Sequence, residues 1–320
     1  MNIVVGNSAG VFSGLTCQLA WMLVAENPEN DVNLQLHAIN KTSAGGNHFL
    51  DYEPCPPGGR SYLHSSECDN YEEIVGSNLL LKFFKESDLI NTNILESTYL
   101  ESNPIDVNKK FVKVYPDDLH RGGKGNSKEQ FNNLETLKEV TVALNRQWNK
   151  LEFNDEFAEL VDQEEQLIAG KKVLSIMLRT TPHYIDPKTN RPLTDTNYVI
   201  DCAIESVKKR IDDYDAVLLV TQIQPFVDRF VEEFGDKCIF TDRERLATDS
   251  DWVGGRGDGN VSMTDEEYET EYRNVLLDVL LASKTKHVLG SASNMFMGTL
   301  IMNPEITFEP IDNLSDFEGC

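Results

Sequence analysis

The stretch Arg273-Asn-Val-Leu-Leu-Asp-Val-Leu-Leu-Ala-Ser-Lys-Thr-Lys-His-Val-Leu-Gly-Ser-Ala-Ser-Asn294 passes through three kinds of local structure. Its first part closes a helix expected over Glu267 to Ala282, with Tyr268, Tyr272, Val275, Leu276 and Val279 on one face. His287 to Leu289 follows as a short apolar strand. Gly290-Ser-Ala-Ser-Asn294 then turns the chain into a last helix, Ser293 to Met302. Ser293 or Asn294 can cap that helix, which leaves backbone N–H groups for an anion.

The same alternation extends upstream. Val173 to Leu178 is a strand, Tyr198 to Ile211 a helix, and Ala216 to Thr221 a strongly apolar strand. Gln224 to Phe234 is a helix expected to turn Val227, Phe230, Val231 and Phe234 inward, and Lys237 to Phe240 is another strand. Strands joined through helices of this length are βαβ units, so the sheet should be parallel. In the first half, Ile3 to Val5 is a strand before Gly6-Asn-Ser-Ala-Gly10. A helix from about Ser13 to Glu26 carries Leu15, Leu19, Met22 and Leu23 on one face. Val32 to Ile39 alternates like a strand, with Val32, Leu34, Leu36 and Ala38 together. Lys41 to Cys68, rich in Gly, Pro, Ser and Asn, reads as a long loop. A strand is expected near Phe111 to Val114. Gly122-Gly-Lys-Gly125 lacks P-loop spacing and reads as a solvated loop. Leu134 to Leu167 is mostly helical. The boundary between two domains is placed at its end, giving 1–168 and 169–320.

The composition sets limits. With 320 residues and 40% hydrophobic residues the chain can bury a sizeable core. The net charge of −24 argues against nucleic acid, because phosphate backbones are met by concentrated basic surface. No apolar run is long enough to cross a bilayer. The N-terminal Met1-Asn-Ile-Val-Val-Gly6 reads as a first strand and not as a secretory signal. The six cysteines form neither a disulfide framework nor a metal-ligand spacing. Cys17, Cys202 and Cys238 sit in apolar stretches and are expected as buried thiols, Cys55 and Cys68 share one loop, and a reducing, cytoplasmic setting is the default.

Against this acidic background an anionic ligand needs locally placed cations. Arg179 follows Leu174-Ser-Ile-Met-Leu178, at the carboxyl end of a buried parallel strand, where ligands bind such sheets. Its guanidinium fork suits phosphate oxygens bidentately; a salt bridge to a nearby carboxylate is the alternative. Asp278 lies among apolar neighbours on its helix. It is therefore either turned to the surface or buried with a partner. His183 and Asp186 follow Arg179 on the same segment and are candidates for a general base.

Taken in order, these segments resemble a family. Residues 273–294 resemble the C-terminal donor-binding motif of the α-1,6-fucosyltransferases, which include nodulation and N-glycan core enzymes, with the protein O-fucosyltransferases as more distant relatives. Ser175-Ile-Met-Leu-Arg-Thr180 resembles the family's His-x-Arg strand. Val217-Leu-Leu-Val-Thr221, followed by Pro225-Phe226, resembles its strand ending in Thr-Asp or Ser-Asp. Gly10 to Ala25 is similar to its first glycine-rich turn and helix. The match covers Val173 to Pro304 well and the first half poorly.

The resemblance implies an α/β protein of GT-B fold: two Rossmann-like domains with parallel sheets facing a central cleft. The first would bind a glycan acceptor and the second a nucleotide sugar. It implies fucose transfer from GDP-fucose, with inversion and without a metal. Arg179 would meet the donor β-phosphate, Ser293 and Asn294 the diphosphate, and Asp278 the base. Gly10, Thr221, Gln222 and Ser291 complete the expected donor contacts. There are three departures, Met177 in place of histidine, Gln222 in place of aspartate, and Thr181-Pro182 in place of Thr-Asp; the first two bear on the donor-base or ribose contacts. The alternatives are a GT-B enzyme using a UDP- or dTDP-linked sugar such as xylose or rhamnose, and a non-catalytic GT-B-like binding protein.

Overall fold

A computed structural model describes residues 2–5, 11–38, 62–64, 78–92, 98–100, 134–181, 184–186, 189, 191–247, 265–291 and 293–316. The chain divides into two compact units. One comprises Met1–Glu159 and Gly254–Val275, the other Leu160–Val253 and Leu276–Cys320.

The second unit is built on two apolar strands, β5 (Val173–Met177) and β8 (Ala216–Val220), every residue of which is buried. Continuous burial on both faces is what a parallel strand sandwiched between helices requires. They pair in parallel, Val173 opposite Ala216 and Met177 opposite Val220. With β9 (Cys238–Ile239), β10 (His287–Gly290) and β11 (Thr307–Pro310) they form an all-parallel sheet of order β11-β10-β5-β8-β9. The one polar side chain in β5, Ser175, is satisfied by Thr285, with Oγ and Oγ1 2.9 Å apart. The helices of this unit include α4 (Thr196–Lys208), capped by the Asp195 carboxylate, and α5 (Gln224–Phe234) with Pro225 in its first turn. On α5, Phe226, Val227 and Phe230 enter the core with Ile176, Leu219 and Leu289. Each such side chain contributes about 1.5–3 kcal/mol by leaving water. Val231, expected inward, is 41% exposed. The inward stripe is carried by Phe226 instead, one turn before Phe230, which leaves Val231 beyond the stripe's edge. A separate antiparallel sheet joins β6 (Tyr184–Asp186) to β7 (Arg191–Pro192) and β12 (Ser315–Asp316).

The first unit carries β1 (Asn2–Val5), β2 (Asn33–Leu36), β3 (Tyr62–His64) and β4 (Thr98–Leu100) in the order β2-β1-β4-β3. Only β3 runs antiparallel to its neighbour. Thus the segment Lys41 to Cys68, expected as loop, contains a strand. Helix α1 (Val11–Ala25) follows β1. It is buried on nearly all sides, not on one face: Thr16, Cys17 and Gln18 are buried along with Leu15 and Leu19. Its polar members are bonded inside, Gln18 Nε2 donating to the His37 carbonyl at 2.9 Å and Thr16 to the Phe12 carbonyl at 2.7 Å. Leu134 to Leu167 is two helices, α2 (Leu134–Trp148) and α3 (Asp155–Glu165). They are broken where Phe153 bridges back to Phe84. The helix α6 (Asp265–Ser283) follows, with Tyr272 stacked on Phe83 at 5.0 Å, and α7 (Asn294–Met302) is the last. No helix among the described residues is long and apolar enough to cross a membrane. The strand expected near Phe111 and the Gly122–Gly125 loop lie outside the described residues, as do Cys55, Cys68 and Cys320.

Candidate functional site

Register places the site. Because β10, β5 and β8 are neighbours and parallel, their carboxyl ends open on one edge of the sheet. Leu289 pairs with Ile176, Met177 pairs with Val220, and the Leu178 N–H still donates to the Val220 carbonyl at 2.9 Å. Ser291, Arg179 and Thr221 therefore leave adjacent strands within a residue or two of the same level.

On β10 the chain leaves through Gly290 into the turn before α7. A Cβ on Gly290 would meet Cδ2 and Cε2 of Phe296 at 2.6 and 2.8 Å, so the close packing of this turn on the helix requires glycine. Ser293 is the N-cap, its Oγ accepting from the Phe296 N–H at 3.1 Å, and Asn294 is the first helical residue. Ser291 differs: its Oγ is buried without a hydrogen-bond partner. A buried free hydroxyl beside a helix N-terminus, where N–H groups lack partners and the dipole is positive, is suited to an oxyanion.

On β5, Arg179 is partly buried and its N–H donates to the Tyr184 hydroxyl at 3.1 Å, tying the strand exit to β6. Met177, which occupies the position of the resemblance's histidine, is buried with its sulfur 3.4 Å from Thr299 Oγ1 on α7. It packs the helix against the sheet. On β8, Thr221 is buried. Its Oγ1 accepts from the Ile223 N–H at 3.3 Å, while the Gln222 carbonyl accepts from the Leu246 N–H at 2.8 Å. Asp186 ends β6. Gly10 and His183 lie outside the described residues.

Asp278 settles between its two sequence alternatives as the buried one, at 1% exposure. Its Oδ1 accepts from Thr241 Oγ1 at 2.8 Å, and its Oδ2 forms a close ion pair with Arg243. Burial pushes the carboxyl above the usual aspartate range, against the downward pull of Arg243, Thr241 and Arg245. The Arg243 guanidinium also donates to the Thr221 carbonyl at 3.0 Å, and Arg245 donates to the carbonyls of Thr241 and Arg243 at 2.6 and 3.0 Å. The sequence reading gave these two arginines no role; in Thr241-Asp-Arg-Glu-Arg-Leu246 they look like a solvated charged loop. Burial, followed by the neighbouring Arg243, lowers the Arg245 guanidinium from its usual range. Beside it the Cys238 thiol is pushed up to about 12 by burial, so it is held as a neutral, poorly nucleophilic thiol. Cys17 and Cys202 are buried thiols outside any disulfide, and Cys238 is a partly buried one.

The opposite edge of the sheet carries a different network. His287 opens β10, its Nδ1 2.8 Å from the Tyr214 hydroxyl and its Nε2 3.3 Å from Glu309 on β11. Arg210 pairs with that Glu309 and with Asp312. His287 and Tyr214 lie at the amino ends of β10 and β8, Glu309 lies within β11 and Asp312 just beyond it, so the network clamps the edge strand β11.

No protein-family model matches the sequence, and no curated protein matches it. Among solved structures, the NodZ α-1,6-fucosyltransferase soaked with GDP-fucose is similar at a TM-score of 0.50 and 11% identity, over 95% of this chain and 92% of that one. Fucosyltransferase NodZ from Bradyrhizobium is similar at a TM-score of 0.50 and 12% identity, over 98% of this chain and 96% of that one. At such identity the likeness speaks to fold. Together with the parallel strand–helix–strand units and the all-parallel second sheet, it makes this chain an α/β protein with the GT-B fold that the NodZ fucosyltransferase structures share.

Proposed function

We propose that the chain is a glycosyltransferase that takes its sugar from a nucleoside-diphosphate donor, with inversion and without a metal, and passes it to a glycan or glycoconjugate acceptor. The observation that carries the reading is the conjunction at one sheet edge. Arg179 leaves β5 beside the turn in which Ser291 keeps a buried unpartnered hydroxyl ahead of the capped helix α7. Arginine, helix N–H groups and hydroxyls together supply the preorganised positive field that a departing diphosphate requires, the task a divalent cation performs in other transferases.

In this reading Arg179 meets the β-phosphate, and Ser291, Ser293 and Asn294 meet the diphosphate with the start of α7. Thr221 and Gln222 line the nucleoside side. The acceptor hydroxyl attacks the anomeric carbon opposite the leaving group. The bond to the β-phosphate oxygen breaks with its electron pair on the diphosphate, and the hydroxyl proton passes to a base supplied by His183 or Asp186. Gly10 is assigned to the donor by the resemblance in sequence alone. The resemblance in sequence, and the NodZ structure soaked with GDP-fucose, point to fucose from GDP-fucose. A second reading, a uracil- or thymine-linked donor of a sugar such as xylose or rhamnose, is favoured by one observation. The Asp278 carboxylate, which would have to accept guanine's N1–H and N2–H₂, is already engaged by Thr241 and Arg243.

The test is a donor panel of GDP-fucose, UDP-xylose, UDP-glucose and dTDP-rhamnose, scored for hydrolysis without acceptor and for transfer to glycan acceptors. Turnover of one donor supports the proposal. Tight binding of a donor with neither hydrolysis nor transfer identifies the non-catalytic binding protein instead.

A further inference from the structure

The exit of the chain from β5 is held at successive points. The Leu178 N–H still donates to the Val220 carbonyl of the neighbouring strand at 2.9 Å. The next backbone donor, the Arg179 N–H, turns to a side chain and donates to the Tyr184 hydroxyl at 3.1 Å. Two residues on, Thr181 Oγ1 lies 3.2 Å from Thr196 Oγ1, and Thr196 opens α4. Thr180 and Thr181 are themselves buried. The backbone that carries Arg179 is therefore pinned at the arginine and again just beyond it.

Tyr184 is fixed in its turn. Its side chain is fully buried, in the core that Leu178, Val199 and Ile311 share. Its backbone lies in β6, the middle strand of the small antiparallel sheet. There it pairs with Asp316 on β12, and its carbonyl accepts from the Leu193 N–H at 2.8 Å. The chain that leads into β12 is anchored as well: the Asp312 N–H donates to Ser206 Oγ on α4 at 2.9 Å, and the Asp312 carboxylate pairs with Lys209 at 2.8 Å. The Tyr184 hydroxyl is thus an acceptor set by the core and by β12, and it does not follow the segment it holds. A phenylalanine would fill the same space; what tyrosine adds at this position is the polar handle.

We propose that Tyr184 is a positioning residue for Arg179, with Thr181 as a second anchor: the phenol fixes the backbone from which the guanidinium meets the donor diphosphate. This rests on the nucleotide-sugar reading above and deepens it. A guanidinium ends a long side chain, and its forked contact with phosphate oxygens depends on direction as well as distance. If the backbone drifts, the fork loses alignment while the attraction of its charge for a bound diphosphate persists. Alignment matters most to the charge that develops as the sugar departs. Loss of the hydroxyl should therefore be felt in kcat more than in donor binding.

The experiment uses whichever donor of the panel wild type turns over fastest. Hydrolysis without acceptor, donor affinity and thermal unfolding are compared in the full chain as wild type, Tyr184→Phe, Thr181→Val, Arg179→Ala, and each of the first two variants combined with Arg179→Ala. Ser175→Ala removes a buried hydroxyl paired with Thr285 inside β5, and serves as the control for plain loss of buried bonding. Tyr184→Phe should lower kcat about 10- to 100-fold, as expected of a displacement of up to about 1 Å at a positioning group. Its donor affinity should stay within about threefold of wild type. Ser175→Ala should lose comparable thermal stability with kcat within about twofold of wild type. In the Arg179→Ala background, Tyr184→Phe should cost less than about twofold more, because no arginine is left to place. Tyr184 stands between His183 and Asp186 in the sequence, so this last comparison also decides which group it serves. The same loss persisting without Arg179 overturns the inference in favour of an effect on the base. Wild-type kcat in folded Tyr184→Phe overturns it too, as does an equal fall in Ser175→Ala. If Tyr184→Phe does not fold, Thr181→Val decides on the same criteria. If wild type turns over no donor of the panel, the glycosyltransferase reading falls and takes the inference with it. If wild type is active and the variants match it, only the role of Tyr184 and Thr181 falls.

Discussion

Replacing Gly290 by alanine tests how the sheet edge is held together. The added methyl would stand 2.6 and 2.8 Å from two ring carbons of Phe296, where carbon atoms prefer about 3.5–4.0 Å. The shortfall is roughly 1 Å, and the ring cannot take it up freely. Phe296 is 2% exposed and lies edge-on to Phe308 at 5.5 Å. Overpacking of this kind costs about 1–3 kcal/mol. For 320 residues unfolding together that lowers the melting temperature by about 1.5 °C per kcal/mol. The second effect is on the site. Relief by moving Phe296 moves the first turn of α7, because the Phe296 N–H is the group capped by Ser293. A displacement of about 1 Å at a positioning element can cost on the order of 100-fold in rate. Thermal unfolding and donor turnover should therefore fall together in Gly290→Ala. Adding Phe296→Leu, which removes the offending ring, should recover at least about 1 kcal/mol beyond additivity, the coupling expected of residues in contact. A Gly290→Ala protein with wild-type melting temperature and wild-type nucleotide affinity would refute the packing argument and the role of the α7 terminus with it.

Arg179→Ala should leave the fold intact and reduce turnover on the order of 100- to 1000-fold, and Arg179→Lys should also be poor because a point charge does not reproduce the fork; near wild-type turnover in folded Arg179→Ala would remove its assignment. Activity should persist in excess EDTA, and a loss that Mg²⁺ or Mn²⁺ restores would contradict the arginine-and-helix account. His287 should make stability depend on pH. Burial holds its imidazole below the usual histidine range, ahead of the opposing pull of Glu309 and together with Arg210. The unfolded chain therefore takes up a proton near pH 6.5 that the folded chain refuses, and stability falls as pH drops through that value. Melting curves from pH 8 to 5.5 should slope accordingly and flatten in His287→Gln; equal slopes would exclude His287 as the cause.

The second sheet was legible because its strands are buried on both faces. Leu174, Ile176, Val217 and Leu219 leave no alternation to misread, and turn residues mark each end. Gln224–Phe234 falls where its periodicity put it. Legibility failed where burial was made of polar residues. Alternation in Val32 to Ile39 assigns Gln35 and His37 to an outer face, yet both are fully buried, with Gln35 Nε2 held by the Asn91 side chain at 2.8 Å. Hydrophobicity cannot announce a polar residue that is satisfied by a partner 56 positions away. The same holds at the site. The place of Arg179 at the end of an apolar strand could be read from the sequence. Arg243 could not, since what buries it is Asp278 on a helix beyond an intervening segment, and only the folded chain joins Thr241, Arg243 and Asp278. Met177 was visible as a departure from the family pattern, but its consequence, a sulfur packed on Thr299, required the structure.

The acidic character of the chain is compatible with an anionic ligand, as a comparison of magnitudes makes clear. A cation 5 Å from a phosphate near a protein surface contributes about 3 kcal/mol at an effective dielectric constant near 20. An exposed charge 15 Å away in water, screened over a Debye length of about 8 Å, contributes about 0.04 kcal/mol. The whole excess of 24 negative charges then repels each ligand charge by about 1 kcal/mol at that distance. One well-placed arginine outweighs it. The carboxyl-end edge that carries Arg179 is followed on the β9 side by Arg243 and Arg245, and among the described residues Asp278 is the one buried carboxylate. The sign of the local field there is thus set by position, not by net charge. Asp278 is paired with Arg243, and the start of α7 adds the positive end of a helix dipole to the same edge.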